Sequence, residues 1–206
     1  MAGRRKSPDR RALEKAADRS GPVARYDLAV VAAAEPFSDH PAVKVVGAAS
    51  ELADQPPLVT ASALVLVAGL VTRRPALARA GARMLAAHGL ATLAKTIVKD
   101  RIDRTRPQKV AEDGEHRAEP GRSKAGERRS FPSGHSAGAF AVARAVTREY
   151  PGAVPVALPA AALASAIQVP RQKHFPSDVV VGVAIGLAAE ALVDLAARRL
   201  SQRLKR

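Results

Sequence analysis

The chain has no cysteine, no tryptophan and only six aromatic residues in 206, and it carries 19 acidic side chains against 33 basic ones. Without cysteine, a disulfide scaffold, a thiolate zinc site and a thiol nucleophile are excluded. The shortage of acids leaves a net charge of +14. The partner is therefore expected to be anionic: nucleic acid, an anionic membrane surface or a phosphorylated substrate. No aromatic residues interleave with the N-terminal basic residues, so a lipid surface is favoured there over nucleic acid. The hydrophobic share of 47% is ordinary for a soluble protein; its distribution is not.

Lys, Arg, Asp and Glu are absent from residues 55–72 and again from 150–170. At 1.5 Å per residue, either run can cross a hydrocarbon core of roughly 30 Å. Three further apolar stretches are interrupted: 76–98 by Arg79, Arg83 and Lys95, 133–147 by Arg144, and 179–197 by Glu190 and Asp194. Long basic side chains near helix ends snorkel to water and do not forbid a span. A soluble helical bundle would show charged faces at helical period, and 150–170 has none. The expected fold is all-α, a polytopic membrane bundle of about five spanning helices. The acids Glu190 and Asp194 are expected near a helix end, reaching water, with Arg144 as the alternative partner.

Residues 1–25 hold eight basic side chains and little to bury, which predicts a basic disordered arm. The apolar run that follows, 28–34, is only seven residues long and comes after an overlong basic segment, so a secretory signal is not expected. Residues 26–54 are expected to form a short interfacial helical segment and 198–206 a basic tail. The stretch 99–130, rich in charge with several Gly and Pro, is an aqueous loop.

Three polar islands lie at the ends of the apolar stretches. In the first, Lys99 and Arg106 are seven residues apart, two helical turns, and Pro107 follows. On one face, an ammonium and a guanidinium make a clamp for a phosphoryl group; a juxtamembrane stripe touching lipid head groups is the other reading. The second island is Pro132-Ser133-Gly134-His135. Ser133 suits an N-cap, Gly134 allows close backbone approach, and the N–H groups of a helix start attract anions. His135 reads either as a proton donor or as a satisfied helix-start histidine. The third is His174 with Asp178 four residues on. The carboxylate can accept the Nδ1–H and leave Nε2 free as nucleophile or base, or simply cap the helix. The loop between the first two islands stays on one side, and two crossings separate the second from the third. All three therefore share one membrane face, as a single active site requires.

Lys-x6-Arg-Pro, Pro-Ser-Gly-His and His-x3-Asp, in that order, resemble the type 2 phosphatidic acid phosphatase superfamily, which includes membrane lipid-phosphate phosphatases, glucose-6-phosphatases and vanadium haloperoxidases. The resemblance makes 55–197 a membrane phosphatase domain. It departs from the family at one place: the third motif reads Ser-Arg-x5-His-x3-Asp there, whereas Ile167 and Gln168 occupy those two positions here. Arg171, three residues on, is the candidate replacement for the missing cation. The resemblance implies that His174 attacks phosphorus to form a phosphohistidine, that Asp178 orients it, and that His135 protonates the leaving alkoxide. Lys99, Arg106, Ser133 and the Gly134 N–H would then hold the phosphoryl oxygens.

No metal ligand set stands out in the sequence, the Lys/Arg clamp makes a divalent ion unnecessary, and no cofactor is expected. The expected activity is phosphoric monoester hydrolysis of a lipid phosphate or diphosphate in the cell membrane. The alternatives are a non-catalytic lipid-head-group-binding protein of the same fold, suggested by Gln168, and a vanadate-dependent haloperoxidase. Gly182-x3-Gly186 permits close helix packing and hints at dimerisation. The positive-inside rule places the active-site face in the cytoplasm.

Overall fold

The computed structural model describes residues 9–204. Arg4, Arg5 and Lys6 of the basic arm, and Lys205 and Arg206 of the basic tail, lie outside the described residues. The chain is mostly helical and forms two compact units, one built from Met1–Gly47, Ile97–Pro132 and Ala166–Val179, the other from Ala48–Thr96, Ser133–Ser165 and Val180–Arg206.

The first unit starts with helix α1 (Arg10–Asp18), capped by the Asp9 carboxylate on the Arg11 N–H, and α2 (Pro22–Ala34), which begins with proline at its first position. A short helix, α6 (Pro107–Asp113), ends at Gly114, whose φ of 74° is the left-handed conformation that closes a helix. Strands β1 (Ile102–Arg104) and β2 (Ala118–Pro120) pair antiparallel. Leu13, Ala16 and Ala17 of α1, Leu28, Val31 and Ala32 of α2, Val110 and Ala111 of α6 and the loop residue Phe175 form one buried cluster.

This cluster overturns the expected disordered arm over its described part. Leu13, Ala16 and Ala17 recur at helical spacing, so one stripe of an otherwise charged helix is buried while Arg10, Arg11 and Lys15 face water. Residues 26–54 are helical, in two parts: α2 ends at Ala34 and a second helix, α3, runs over Pro41–Ser50, while Leu28 and Val31 of α2 are fully buried.

The second unit contains α4 (Gln55–Val71), α5 (Pro75–Lys99, continuing into the first unit), α7 (Gly134–Glu149), α8 (Val154–Ala166) and most of α9 (Pro176–Arg203). The expected basic tail continues α9 as far as Arg203. The α4–α5 turn passes through Arg73, at φ 54°. Small residues bring the helices together: a Cβ on Gly69 would overlap the backbone at Ala78, and one on Gly186 would overlap the Ala137 carbonyl of α7. Gly182 lies as closely on the Ser133 carbonyl. The Gly182-x3-Gly186 face is thus occupied within the chain by α7.

Glu190 also departs from expectation. It is 2% exposed and accepts from Arg148 at 3.0 Å, with Arg144 at 4.0 Å. Asp194 accepts from Arg83 at 2.8 Å and Arg198 at 2.8 Å, and Arg83 also reaches Glu149 at 3.0 Å. These pairs join α5, α7 and α9. Burial of an acid in an apolar bundle is tolerable when it is paired in this way.

All five apolar stretches are helical. Among the described residues, α9 is long and apolar enough to cross a membrane by itself, and Pro41–Ala53 with Gln55–Val71 qualifies as a pair bent by 55°. Leu64, Val67, Leu70 and Val71 of α4, Val156 and Leu163 of α8, and Val180 and Leu192 of α9 are exposed.

Candidate active site

His174 lies in a tight turn before α9. The backbone N–H groups of Lys173 and His174 both donate to the Gln168 carbonyl, at 3.0 and 3.2 Å, and Gln172 adopts φ 55°. The imidazole is 3% exposed, and its Nδ1 is 2.7 Å from the Ser130 carbonyl oxygen. A carbonyl only accepts, so Nδ1 carries the proton and Nε2 keeps its lone pair. The acceptor expected from sequence was Asp178, but its Oδ2 stands 3.7 Å from Nδ1 and contributes charge rather than the fixing hydrogen bond. A backbone carbonyl leaves no residue signature, and that is why Ser130 escaped notice. Burial pushes the His174 pKa down to about 4; Asp178 opposes the shift, while Arg106 and Lys99 add to it.

Asp178 is fully buried and well supplied with donors: the Ser130 hydroxyl at 2.5 Å, the Phe175 N–H at 2.9 Å and Arg104 Nη1 at 2.6 Å. Ser130 is fastened in turn by its own N–H to the Arg104 carbonyl, 3.0 Å away. Arg104, Asp27 and Ser130 were not candidates in the sequence. One signal for Asp27 was available, a lone acid within the α2 sequence PVARYDLAVVAAA.

Arg106 precedes α6 and donates to the Gly126 carbonyl at 2.8 Å and to the Lys173 carbonyl at 3.2 Å. Its guanidinium is thereby tied to the residue before His174. Lys99, at the end of α5, and Arg106 both help to lower the His174 pKa through their charge. Gln168 is fully buried, and its side-chain oxygen accepts from Arg171 Nη1 at 3.4 Å. Arg171 also crosses Gly47, where a Cβ would come within 2.8 Å of its Cδ and Nε.

Ser133, Gly134 and His135 belong to the second unit, at the start of α7. Ser133 is the N-cap; its Oγ accepts from the Ser136 N–H at 3.3 Å and lies 2.9 Å from the Ser136 hydroxyl. A Cβ on Gly134 would stand 2.9 Å from Nζ of Lys95. The missing side chain thus admits an ammonium beside the helix N-terminus. Lys95 was not a sequence candidate, although it stands one turn before Lys99. His135 Nε2 is 3.7 Å from the Glu51 carboxylate. Glu51, Asp54 and His135 place ligand atoms within 4.8 Å of one another, and among the described residues they form a group that could hold a divalent ion. The sequence showed no such set, because Glu51 and Asp54 share one segment while His135 joins them from the start of α7. An apolar cavity of about 370 Å³ lies in the same unit, lined chiefly by alanines of α7 and α8 with Leu52 and Leu58. One lining residue, Ala139, is one turn along α7 from His135.

The profile of the PAP2 superfamily matches residues 80–200, more than half of the chain. The chain belongs to the PAP2 superfamily. Two crystal structures share the PAP2 fold with it. One is the first transmembrane PAP2-type phosphatidylglycerolphosphate phosphatase from Bacillus subtilis, at 24% identity and TM-score 0.65, covering 91% of this chain and 92% of that one. The other is LpxE from Aquifex aeolicus, at 21% identity and TM-score 0.62, covering 81% and 93%. No curated protein matches the chain in sequence.

Proposed function

We propose that this PAP2 protein is a membrane-embedded, metal-independent phosphatase that hydrolyses a lipid phosphate or diphosphate monoester through a phosphohistidine. The observation that carries this reading is the state of His174. It is buried and held by the Ser130 carbonyl in the tautomer that leaves Nε2 unprotonated, and burial pushes its pKa down to about 4, which favours the neutral ring at pH 7. A neutral imidazole with a fixed ring and a free lone pair is an activated nucleophile.

In the proposed reaction Nε2 of His174 attacks phosphorus in line. The P–O ester bond breaks, and the electron pair goes to the alkoxide, which takes a proton from His135. In the second half-reaction His135 removes a proton from water, and the resulting hydroxide displaces Nε2 to release inorganic phosphate. Lys99, Arg106, Ser133, the Gly134 N–H and Arg171 hold the phosphoryl oxygens, where charge is greatest in the transition state. This cationic set supplies the stabilisation a divalent ion would otherwise give. The apolar cavity near α7 supports a substrate with a hydrocarbon chain, such as a phosphatidate, a phosphatidylglycerol phosphate or a polyprenyl phosphate.

The test is phosphate release by the purified protein in detergent, with EDTA, over a panel of lipid mono- and diphosphates. Release is expected with EDTA present and is expected to vanish in His174→Ala. If folded protein releases nothing from any member of the panel, Gln168 has removed catalysis and the head-group-binding reading stands. Activation of halide oxidation by vanadate, in place of inhibition of hydrolysis, would point to the haloperoxidase.

A further inference from the structure

Behind His174 and Asp178 lie three buried or part-buried side chains, Arg104, Asp27 and Ser177, that the phosphatase reading does not use. Arg104, at the end of β1, donates from Nη1 to Asp178 Oδ1 and from Nη2 to Asp27 Oδ2, each at 2.6 Å. Asp27 comes from α2, 77 residues away in the chain. It also accepts from the Ser177 N–H at 3.0 Å and from the Ser177 hydroxyl at 2.5 Å, while Ser177 Oγ lies 2.7 Å from Arg104 Nη1. Asp27 and Asp178 are fully buried, and Arg104 is 6% exposed. Phe175, buried completely, packs its ring 4.4 Å from the guanidinium and closes that side against water.

The charges in this cluster do not cancel. Two carboxylates and one guanidinium sum to −1, and the excess faces a neutral imidazole. When Nε2 bonds to phosphorus while Nδ1 keeps its proton, the ring gains one positive charge, and the cluster and ring together become neutral. If Asp27 were absent, Arg104 would neutralise Asp178 alone, and the new charge on the ring would form in a low-dielectric site without a counter-ion. The half-buried cations Lys99 and Arg106, which also act on His174, serve the phosphoryl oxygens in that reading and make the deficit worse.

We propose that Asp27 is a positioning residue for this site: through Arg104 and Ser177 it fixes the Asp178 carboxylate and leaves the buried cluster the single negative charge that a phosphorylated His174 requires. The proposal rests on the phosphohistidine reading, and it makes the N-terminal helices part of the catalytic apparatus.

The experiment follows phosphoenzyme formation from a radiolabelled lipid phosphate, quenched in alkali, for the wild type and for Asp27→Asn. The rate constant reports the chemistry of the ring, and the amplitude reports the fraction of intact sites. The rate constant is expected to fall about 10- to 100-fold in Asp27→Asn with the amplitude retained, kcat lowered and KM within about 2-fold. Asp27→Glu, which keeps the charge, should recover part of the rate. An unchanged rate constant, or a loss confined to amplitude, overturns the proposal and leaves Asp27 a structural residue only. Should Asp27→Asn fail to fold, Ser177→Ala removes the hydroxyl between Asp27 and Arg104, and the same comparison decides. If no phosphoenzyme forms in the wild type, the phosphohistidine reading itself fails, and the proposal fails with it.

Discussion

The imidazole of His174 is neutral because burial outweighs the carboxylate beside it, and that balance can be measured directly. Its pKa of about 4 lies below the ordinary 6.5, so the unfolded chain takes up this proton first as pH falls. The group's contribution to stability is therefore intact above about 6.5 and is lost progressively down to about 4. Ring NMR shifts in detergent, assigned with His174→Asn, should show a midpoint near 4; one at or above 6.5 would remove the basis for a neutral nucleophile. Gly47 offers a second test. The three atoms nearest a Cβ there all belong to the flexible Arg171 side chain, Cδ and Nε at 2.8 Å and Cζ at 3.4 Å, so Gly47→Ala should move the guanidinium and spare the backbone. Because alanine favours a helix by up to about 1 kcal/mol over glycine, the melting temperature of Gly47→Ala should hold or rise. Phosphate release should drop about 10-fold or more if Arg171 clamps the phosphoryl group. Unaltered release would take Arg171 out of the site.

At the level of elements, what the sequence disclosed follows from where the information lies. Uncharged runs long enough for a helix are visible without a structure, and α4 and α8 fall inside the two runs at 55–72 and 150–170. Ser133 declared itself as an N-cap because a capping hydroxyl ahead of an apolar run has few other roles. The elements that went unread are held by backbone hydrogen bonds or by pairs remote in the chain. The β1–β2 pair is three residues long on each strand and has no alternating pattern for the eye to find. The helical N-terminal arm was obscured by charge, since one narrow stripe of Leu13, Ala16 and Ala17 carries its burial. Glycine spacing signalled close packing at Gly182 and Gly186 but could not say against what; the answer, α7 of the same chain, needed coordinates.

For the whole molecule, the expected multi-pass topology can be tested directly on the second unit. Arg83 of α5 binds Asp194 of α9 and Glu149 of α7, so the α4–α5 turn and the C-terminal part of α9 lie at the same end of that unit. The start of α4 lies at the other end, where Gln55 meets Lys95 and Glu51 meets His135. Helix α4 has 17 residues, about 25 Å at 1.5 Å per residue. It crosses only if its ends emerge on opposite faces. The chain contains no cysteine, so Pro56→Cys, Arg74→Cys and Ser201→Cys can each be labelled on a silent background with a membrane-impermeant maleimide. In sealed vesicles Arg74→Cys and Ser201→Cys should react from one side and Pro56→Cys from the other. Positive-inside orientation puts the Pro56 side in the cytoplasm; labelling of that position from outside would invert the protein while keeping its spans. Reaction of all three from a single face would mean that α4 and α9 lie on or dip into the membrane, and the multi-pass topology would be abandoned.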